Sequence, residues 1–200
     1  MRTPACVSLT ALFGVLLVGC GDESGRPTRT PEPTSMVTPA NLDDFLLRAD
    51  EVPGLRPVAT PMSPLGEPFE LDKDGAERLR RSGYISTTYQ PAEGQGAGVS
   101  SVLLFFTQTG ARDWMAYETS IEAIHLQIPG AEIERFQVPE VPGATGWTGP
   151  DVHGNAIGQV YWTQGRCMLL IGLEVEGPRV ARLSAGAKAI YERTGGTCPG

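Results

Sequence analysis

The sequence predicts an α+β domain: a mainly antiparallel sheet with helices packed on one face. Three observations carry this. Runs rich in β-branched and aromatic residues alternate with segments of helical period across residues 41–200. The last two strands, "NAIGQVYWTQ" and "CMLLIGLEV", flank a tight turn at Gln164-Gly165, which makes a hairpin. The order strand–strand–helix occurs twice, an order that antiparallel pairs with segregated helices satisfy most simply.

The elements follow in order. "NLDDFLLRADEVPG" reads as a short helix capped by Asn41, with Asp43 and Asp44 in its first turn and Pro53-Gly54 as its stop. A second helix starts near Asp72 or Asp74 and closes at Gly83. "YISTTYQ" is a strand, "PAEGQGAG" a flexible loop, and "VSSVLLFFTQ" a buried strand. "GARDWMAYETSIEAIHLQIPG" is one helix, with Trp114, Tyr117, Ile121, Ile124 and Ile128 as its apolar stripe. "EIERFQV" is a strand. The turn-rich stretch after it leaves room for a short strand around Trp147. The closing helix, from Pro178 to Gly195-Gly196, carries Val180, Leu183, Ala187 and Ile190 on one stripe.

A shift of 66 residues (~66, by strand–helix spacing) lays "VLLFF" on "MLLIG" and the helix stripe 114/117/121/124 on 180/183/187/190. This suggests a (ββα)×2 pseudo-repeat. The competing reading is that any two strand–helix units of this length align so.

Composition narrows the function classes. The chain is 40% hydrophobic and 20% charged with a formal charge of −7, which fits a folded acidic domain. The basic residues are scattered apart from Arg78, Arg80 and Arg81 on one helix, so no nucleic-acid partner is expected.

The first twenty residues carry the most specific signal. "CVSLTALFGVLLVG" has the length of a signal-peptide apolar region and is too short to span a bilayer alone. Leu17-Val18-Gly19-Cys20 resembles the lipobox of bacterial lipoproteins. That resemblance implies diacylglyceryl transfer to the Cys20 thiol and cleavage before it. Residues 1–19 would be the signal, 20–40 a Pro/Thr-rich disordered tether, and 41–200 the single domain. A coil of that length reaches about 25 Å. Two acyl chains hold a protein on a membrane without help from charge. The implied location is the extracytoplasmic face of the cell membrane, with the membrane as partner through the lipid. Once Cys6 and Cys20 are assigned, Cys167 and Cys198 remain, and beyond the membrane two such thiols pair as a disulfide.

No catalytic constellation emerges, and no cofactor or metal is implied. His125 follows Glu118 and Glu122 on its helix but lacks a second histidine at the spacing of a metal site. Asp151 and His153 share the turn "GPDVHGN", half of a hydrolytic pair with no activated nucleophile beside it. GxSxG, HExxH and SxxK are all absent. Trp147, His153 and Trp162 are the candidate ligand-binding residues: an aromatic in a Gly/Pro-rich loop can line a pocket. Tyr161 and Trp162, adjacent on a strand, point to opposite faces. Core packing of all three aromatics is the competing reading.

The stretches "LLRADEVPGL" and "VPGATGWTG", together with the closing hairpin and helix, are similar to those of actinobacterial envelope lipoproteins. The element order resembles LpqN-type lipoproteins and the extracellular sensor domain of PknH-like kinases. The resemblance implies a binding or sensor-like module for an unknown small ligand or protein. The alternatives are an accessory envelope protein acting through its surface, and an envelope hydrolase.

Overall fold

The computed structural model describes residues 41–63, 71 and 73–199. Cys20, the signal segment 1–19, the tether 20–40 and Asp72 as a helix start lie outside them. Among the described residues, no helix is long and apolar enough to cross a membrane.

The N-terminal helix is reduced to one 3-10 turn, Asp43–Phe45, opened by Asn41 Oδ1 accepting from the Asp43 N–H at 3.0 Å. The backbone is extended at Leu46 (ψ 160°), and Leu46 and Leu47 are both buried. A continued helix would turn Leu47 away from the face that Leu42, Phe45 and Leu46 share. The extended path buries all four, and the Leu47 N–H donates to Ser100 Oγ at 3.0 Å.

A short strand β1 (Leu55–Pro57) precedes helix α1 (Lys73–Arg81). Strands β2 (Tyr84–Gly94) and β3 (Gly96–Phe105) form one long hairpin, paired from Tyr84↔Phe105 to Gly94↔Gly96. The segment 91–98, expected as a loop, is therefore paired strand. Its glycines permit a turn on Gln95 alone, with φ +151° at Gly94 and +122° at Gly96. Carbonyls of Gly54 and Glu174 sit where side chains would start at these two positions.

The long helix expected after β3 is two helices, α2 (Gln108–Glu118) and α3 (Ile121–Gln127). Thr119 Oγ1 donates back to the Met115 carbonyl at 2.8 Å, and Ser120 Oγ caps α3 by accepting from the Ala123 N–H at 3.1 Å. These two residues offer the backbone an alternative to helix and so break it. Ile124 and Ile128 stay buried, while Ile121 is rotated out.

Strands β4 (Glu134–Gln137), β5 (Thr145–Pro150), β6 (Ala156–Gln164) and β7 (Cys167–Glu174) follow. Helix α4 (Arg179–Thr194) ends on Gly195 in the left-handed region. The seven strands form one antiparallel sheet in the order β1-β2-β3-β7-β6-β5-β4. The α+β antiparallel class is as the sequence predicts.

The helices, however, cover both faces rather than one. On the first face α4 and the N-terminal segment bury Val102, Leu104, Val160, Trp162, Leu169 and Ile171. On the second, α1, α2 and α3 bury Leu103, Phe105, Tyr161, Met168 and Leu170. The cause is legible in the strands. "VLLF" and "MLLIGL" are unbroken apolar runs, so both of their faces must leave water.

The ββα succession does occur twice, as β2-β3-α2 and β6-β7-α4, but its helices dock on opposite faces. Under the alignment of "VLLFF" with "MLLIG", Val102 of the first face falls on Met168 of the second. Because the two helices dock on opposite faces, the residues facing them correspond: Leu103 and Phe105, on the α2 side, fall on Leu169 and Ile171, on the α4 side.

Cys167 and Cys198 form a disulfide with Cα atoms 5.7 Å apart. It ties the tail after α4 to the start of β7, and Arg166 Nε donates to the Pro199 carbonyl at 3.2 Å beside it.

Candidate functional site

Side chains that alternate along β6 and β5 bring a polar group into the second apolar face. Tyr161 and Trp147 are both buried there, and Gln159, two residues before Tyr161, shares its side of the sheet. The Tyr161 hydroxyl donates to Gln159 Oε1. Gln159 Nε2 in turn donates to Gln127 Oε1 at 3.1 Å, at the C-terminal end of α3. Gln159 is half-buried and Gln127 exposed, so the chain of amides runs from the interior to a solvent-facing rim.

Glu118 adds a carboxyl near enough to act electrostatically on the Tyr161 hydroxyl. It ends α2, one turn beyond Trp114, and is partly buried. Burial pushes its carboxyl up to about 7. Burial, then the negative charge of Glu118, raise the Tyr161 hydroxyl well above its ordinary value, against the nearby Trp147 indole and Gln127 amide, which act to lower it.

Three buried polar atoms on this face lack a partner among the described residues: Trp114 Nε1, Trp147 Nε1 and Ser101 Oγ. Trp147 Nε1 lies near the Tyr161 hydroxyl yet meets no acceptor in hydrogen-bond geometry. Ser101 sits on β3 in the row Ser101–Leu170–Tyr161, two strands from the phenol. An orphaned buried donor costs about 1–3 kcal/mol, so three on one face need an explanation. Tyr117 stacks on Trp114 with centroids 5.1 Å apart, and the Arg78 guanidinium lies 4.5 Å from the Tyr117 ring centre.

The sequence candidates separate in space. Trp147 belongs to this group. Trp162 is buried on the opposite face. With the Gln164 amide oriented to suit its neighbours, Trp162 Nε1 donates to its oxygen at 3.2 Å, so that indole is satisfied within the core. His153 is exposed on the β5–β6 turn. Asp151 Oδ1 there accepts from the backbone N–H groups of His153 at 2.8 Å and Asn155 at 2.7 Å. Slight desolvation of Asp151 is outweighed by these bonds, the Asn155 amide and the nearby His153, which hold its carboxyl below the usual range. Asp151 therefore orders its own turn rather than the imidazole. Trp147, His153 and Trp162 do not line one pocket, because β5 and β6 send the two indoles to opposite sides.

Glu118, Gln127, Gln159, Ser101 and Trp114 escaped the sequence reading as site residues. Glu118 stands four residues after Trp114, which puts a carboxylate on the buried stripe of a helix. "SS" interrupts an otherwise apolar strand, and Ser101 points to the face where nothing binds it. Among the described residues, no group of three His, Cys, Asp or Glu side chains is placed to hold a metal ion. The turn carrying His153 lies between two open clefts of about 610 and 510 Å³; Gly154 and Ala156 line both.

Fold and site together define an antiparallel α+β domain with a two-sided core and one polar-aromatic group left incompletely bonded. The architecture is similar to that of the extracellular domain of PknH from Mycobacterium tuberculosis. The TM-score is 0.50 at 14% sequence identity, over 76% of this chain and 93% of that one. Identity this low establishes likeness of fold alone. No family model and no curated protein sequence matches the chain.

Proposed function

We propose that this chain is a lipid-anchored, extracytoplasmic module that binds a small ligand without transforming it. The carrying observation is the orphaned set on the second face: Trp114 Nε1, Trp147 Nε1 and Ser101 Oγ, beside a Glu118 carboxyl raised by burial. Buried donors without acceptors are under-satisfied groups that a ligand reaching this face would complete. The Leu17-Val18-Gly19-Cys20 sequence supports the anchor, and the disulfide suits an oxidising compartment. The fold of an extracellular domain supports the same location.

Two experiments test the reading. Cys20→Ala should abolish labelling by a fatty-acid probe and move the protein out of the membrane fraction; unchanged membrane retention sinks the anchor. A thermal-shift screen of envelope glycans, lipids and peptidoglycan fragments should raise the melting point for one class. A ligand at a hundred times its Kd adds about 2.7 kcal/mol. A flat screen favours the accessory reading, which the solvent-exposed Phe106 supports. That reading expects a cross-linked envelope partner lost on Phe106→Ser.

A further inference from the structure

We infer that one end of the domain docks on the lipid surface of the membrane, with the exposed Phe106 entering the headgroup boundary. The inference rests on the lipid anchor proposed above and adds the face by which the anchored domain meets its bilayer.

The topology decides which end that is. β3 runs into Phe106, and the Phe105 N–H donates to the Arg166 carbonyl at 3.0 Å, in the β6–β7 turn. The disulfide holds Cys198 beside that turn, and Asn41 lines a cleft together with Cys198 and Pro199. The chain then leaves this end. Leu47 reaches Ser100 midway along β3, and Leu55 pairs with Gly94 at the far end. Asn41, where the chain from Cys20 enters the domain, therefore shares one end of the sheet with Phe106. Residues 21–40 separate Cys20 from Asn41. An unstructured chain of that length reaches about 25 Å. The ten residues of β3 alone extend about 33 Å. An anchor at Cys20 thus holds the near end toward the bilayer and the far end away from it.

The near end has a surface suited to lipid. Phe106 lies one residue past β3 and is 67% exposed. Its backbone is held on both sides. The Phe106 N–H donates to the Gly83 carbonyl at 2.9 Å, and Thr107 caps α2 by accepting from the Gly110 N–H at 3.0 Å. Thr107, Gln108 and Thr109 beside the ring are exposed and uncharged. An aromatic ring among neutral residues enters the headgroup boundary without burying a charge. Arg81 pairs with Glu77, Arg48 with Asp44 and Arg193 with Glu51 toward this end, and these charges cancel. The far end is acidic. Glu174 and Glu176 line one cleft there with Arg182, Glu132 and Glu134 another with Arg179, and Asp151 orders the turn between. An anionic headgroup layer repels that end and tolerates the near one. The short chain keeps the domain at high local concentration over the surface, so one inserted ring is enough to set its orientation.

Fluorescence quenching tests this on the full-length, lipidated protein in mixed phosphatidylcholine and phosphatidylglycerol vesicles that carry a nitroxide headgroup. A dye on Thr109→Cys reports the near end. A dye on Val152→Cys, 68% exposed on the β5–β6 turn, reports the far end. The expected result is strong quenching at 109 and little at 152. Phe106→Ser should shift the docked–undocked equilibrium about tenfold, the low end for burying one such side chain, with the protein still in the membrane fraction. Equal quenching of both labels, or stronger quenching at 152, overturns the docking face and leaves the anchor standing. So does unchanged quenching at 109 in Phe106→Ser. An unquenched label at 109 together with a protein cross-link lost in Phe106→Ser makes the occupant a protein, and the inference fails. If the wild type does not stay with the vesicles, anchor and docking face fall together. Where Phe106→Ser does not fold, the contrast between the 109 and 152 labels in the wild-type background decides.

Discussion

Glu118→Gln should make the protein more stable at neutral pH and remove part of its pH dependence. The folded chain holds the Glu118 proton more tightly than the unfolded chain does, because burial lifts the carboxyl from 4.5 to about 7. Between those values folding retains a proton that unfolding releases. Stability contributed by this group is complete below about 4.5, declines as pH rises toward 7, and is gone above it. At about 1.4 kcal/mol per pH unit the interval corresponds to about 3 kcal/mol. Partial solvent contact at the helix end brings the expected effect to about 1–3 kcal/mol. Glutamine has no proton to lose and keeps the hydrogen-bonding shape of the neutral acid.

The assay is urea denaturation of the wild type and the variant from about pH 4 to about pH 8, fitted with a shared m-value. Other titrating groups are common to both proteins and cancel in the difference. Asp151, for example, is held below its ordinary 3.8 and contributes stability that is lost only as pH falls through that lower range. The difference should be small at the acidic end, grow through the window, and level off above 7 in favour of glutamine. Parallel curves would refute the reasoning, since they would mean that Glu118 meets water as freely in the folded chain as in the unfolded one. A variant less stable at pH 8 would refute it more sharply, by showing that the charge itself is bound.

Two further perturbations probe the scaffold. Cys198→Ser opens the disulfide across a sequence separation of 31 and should cost about 4 kcal/mol in the chain-entropy treatment, read as a lower urea midpoint; an unchanged midpoint means the tail is held by other contacts. Gly186→Ala on α4 sets a methyl 2.8 Å from Val52 Cγ2 and 3.0 Å from Ile171 Cδ1. Overpacking of about 1–3 kcal/mol should exceed the gain of about 1 kcal/mol in helix propensity, and a higher melting temperature would show that α4 has room to move.

The parts of the fold set by local chemistry were legible. Strand runs, the Gln164-Gly165 hairpin and the glycine stop of α4 follow from residue type and spacing. What escaped was set by distant partners. The break at Thr119-Ser120 depends on two side chains choosing backbone groups over helix, and an apolar stripe alone does not reveal that choice. The paired 91–98 segment depends on β1, β3 and β7 lying beside it. Helices on both faces, rather than on one, follow from residue type after all, because unbroken apolar strands require two covers. At the site, Trp147 was visible as an aromatic among glycines, but its neighbours were not. Glu118, Gln127 and Gln159 come from α2, α3 and β6, and only the sheet register assembles them.

The two faces of the sheet differ in how completely their polar groups are bonded. Ser100 and Ser101 are chain neighbours, both about 1% exposed. Ser100 Oγ accepts from the Leu47 N–H, while Ser101 Oγ has no partner among the described residues. Trp162 donates to Gln164, while Trp147 Nε1 and Trp114 Nε1 have no acceptor in hydrogen-bond geometry among the described residues. The first face also carries the disulfide and the half-buried Arg193–Glu51 pair, in which Arg193 Nη2 donates to the Leu46 carbonyl at 2.6 Å and its Nε has no partner among the described residues. A face bonded to that degree is a structural core. It fixes β3, β6 and β7 from behind. Were the orphaned atoms a general looseness of packing, they would fall on both faces alike; of the four found among the described residues, three fall on the second face.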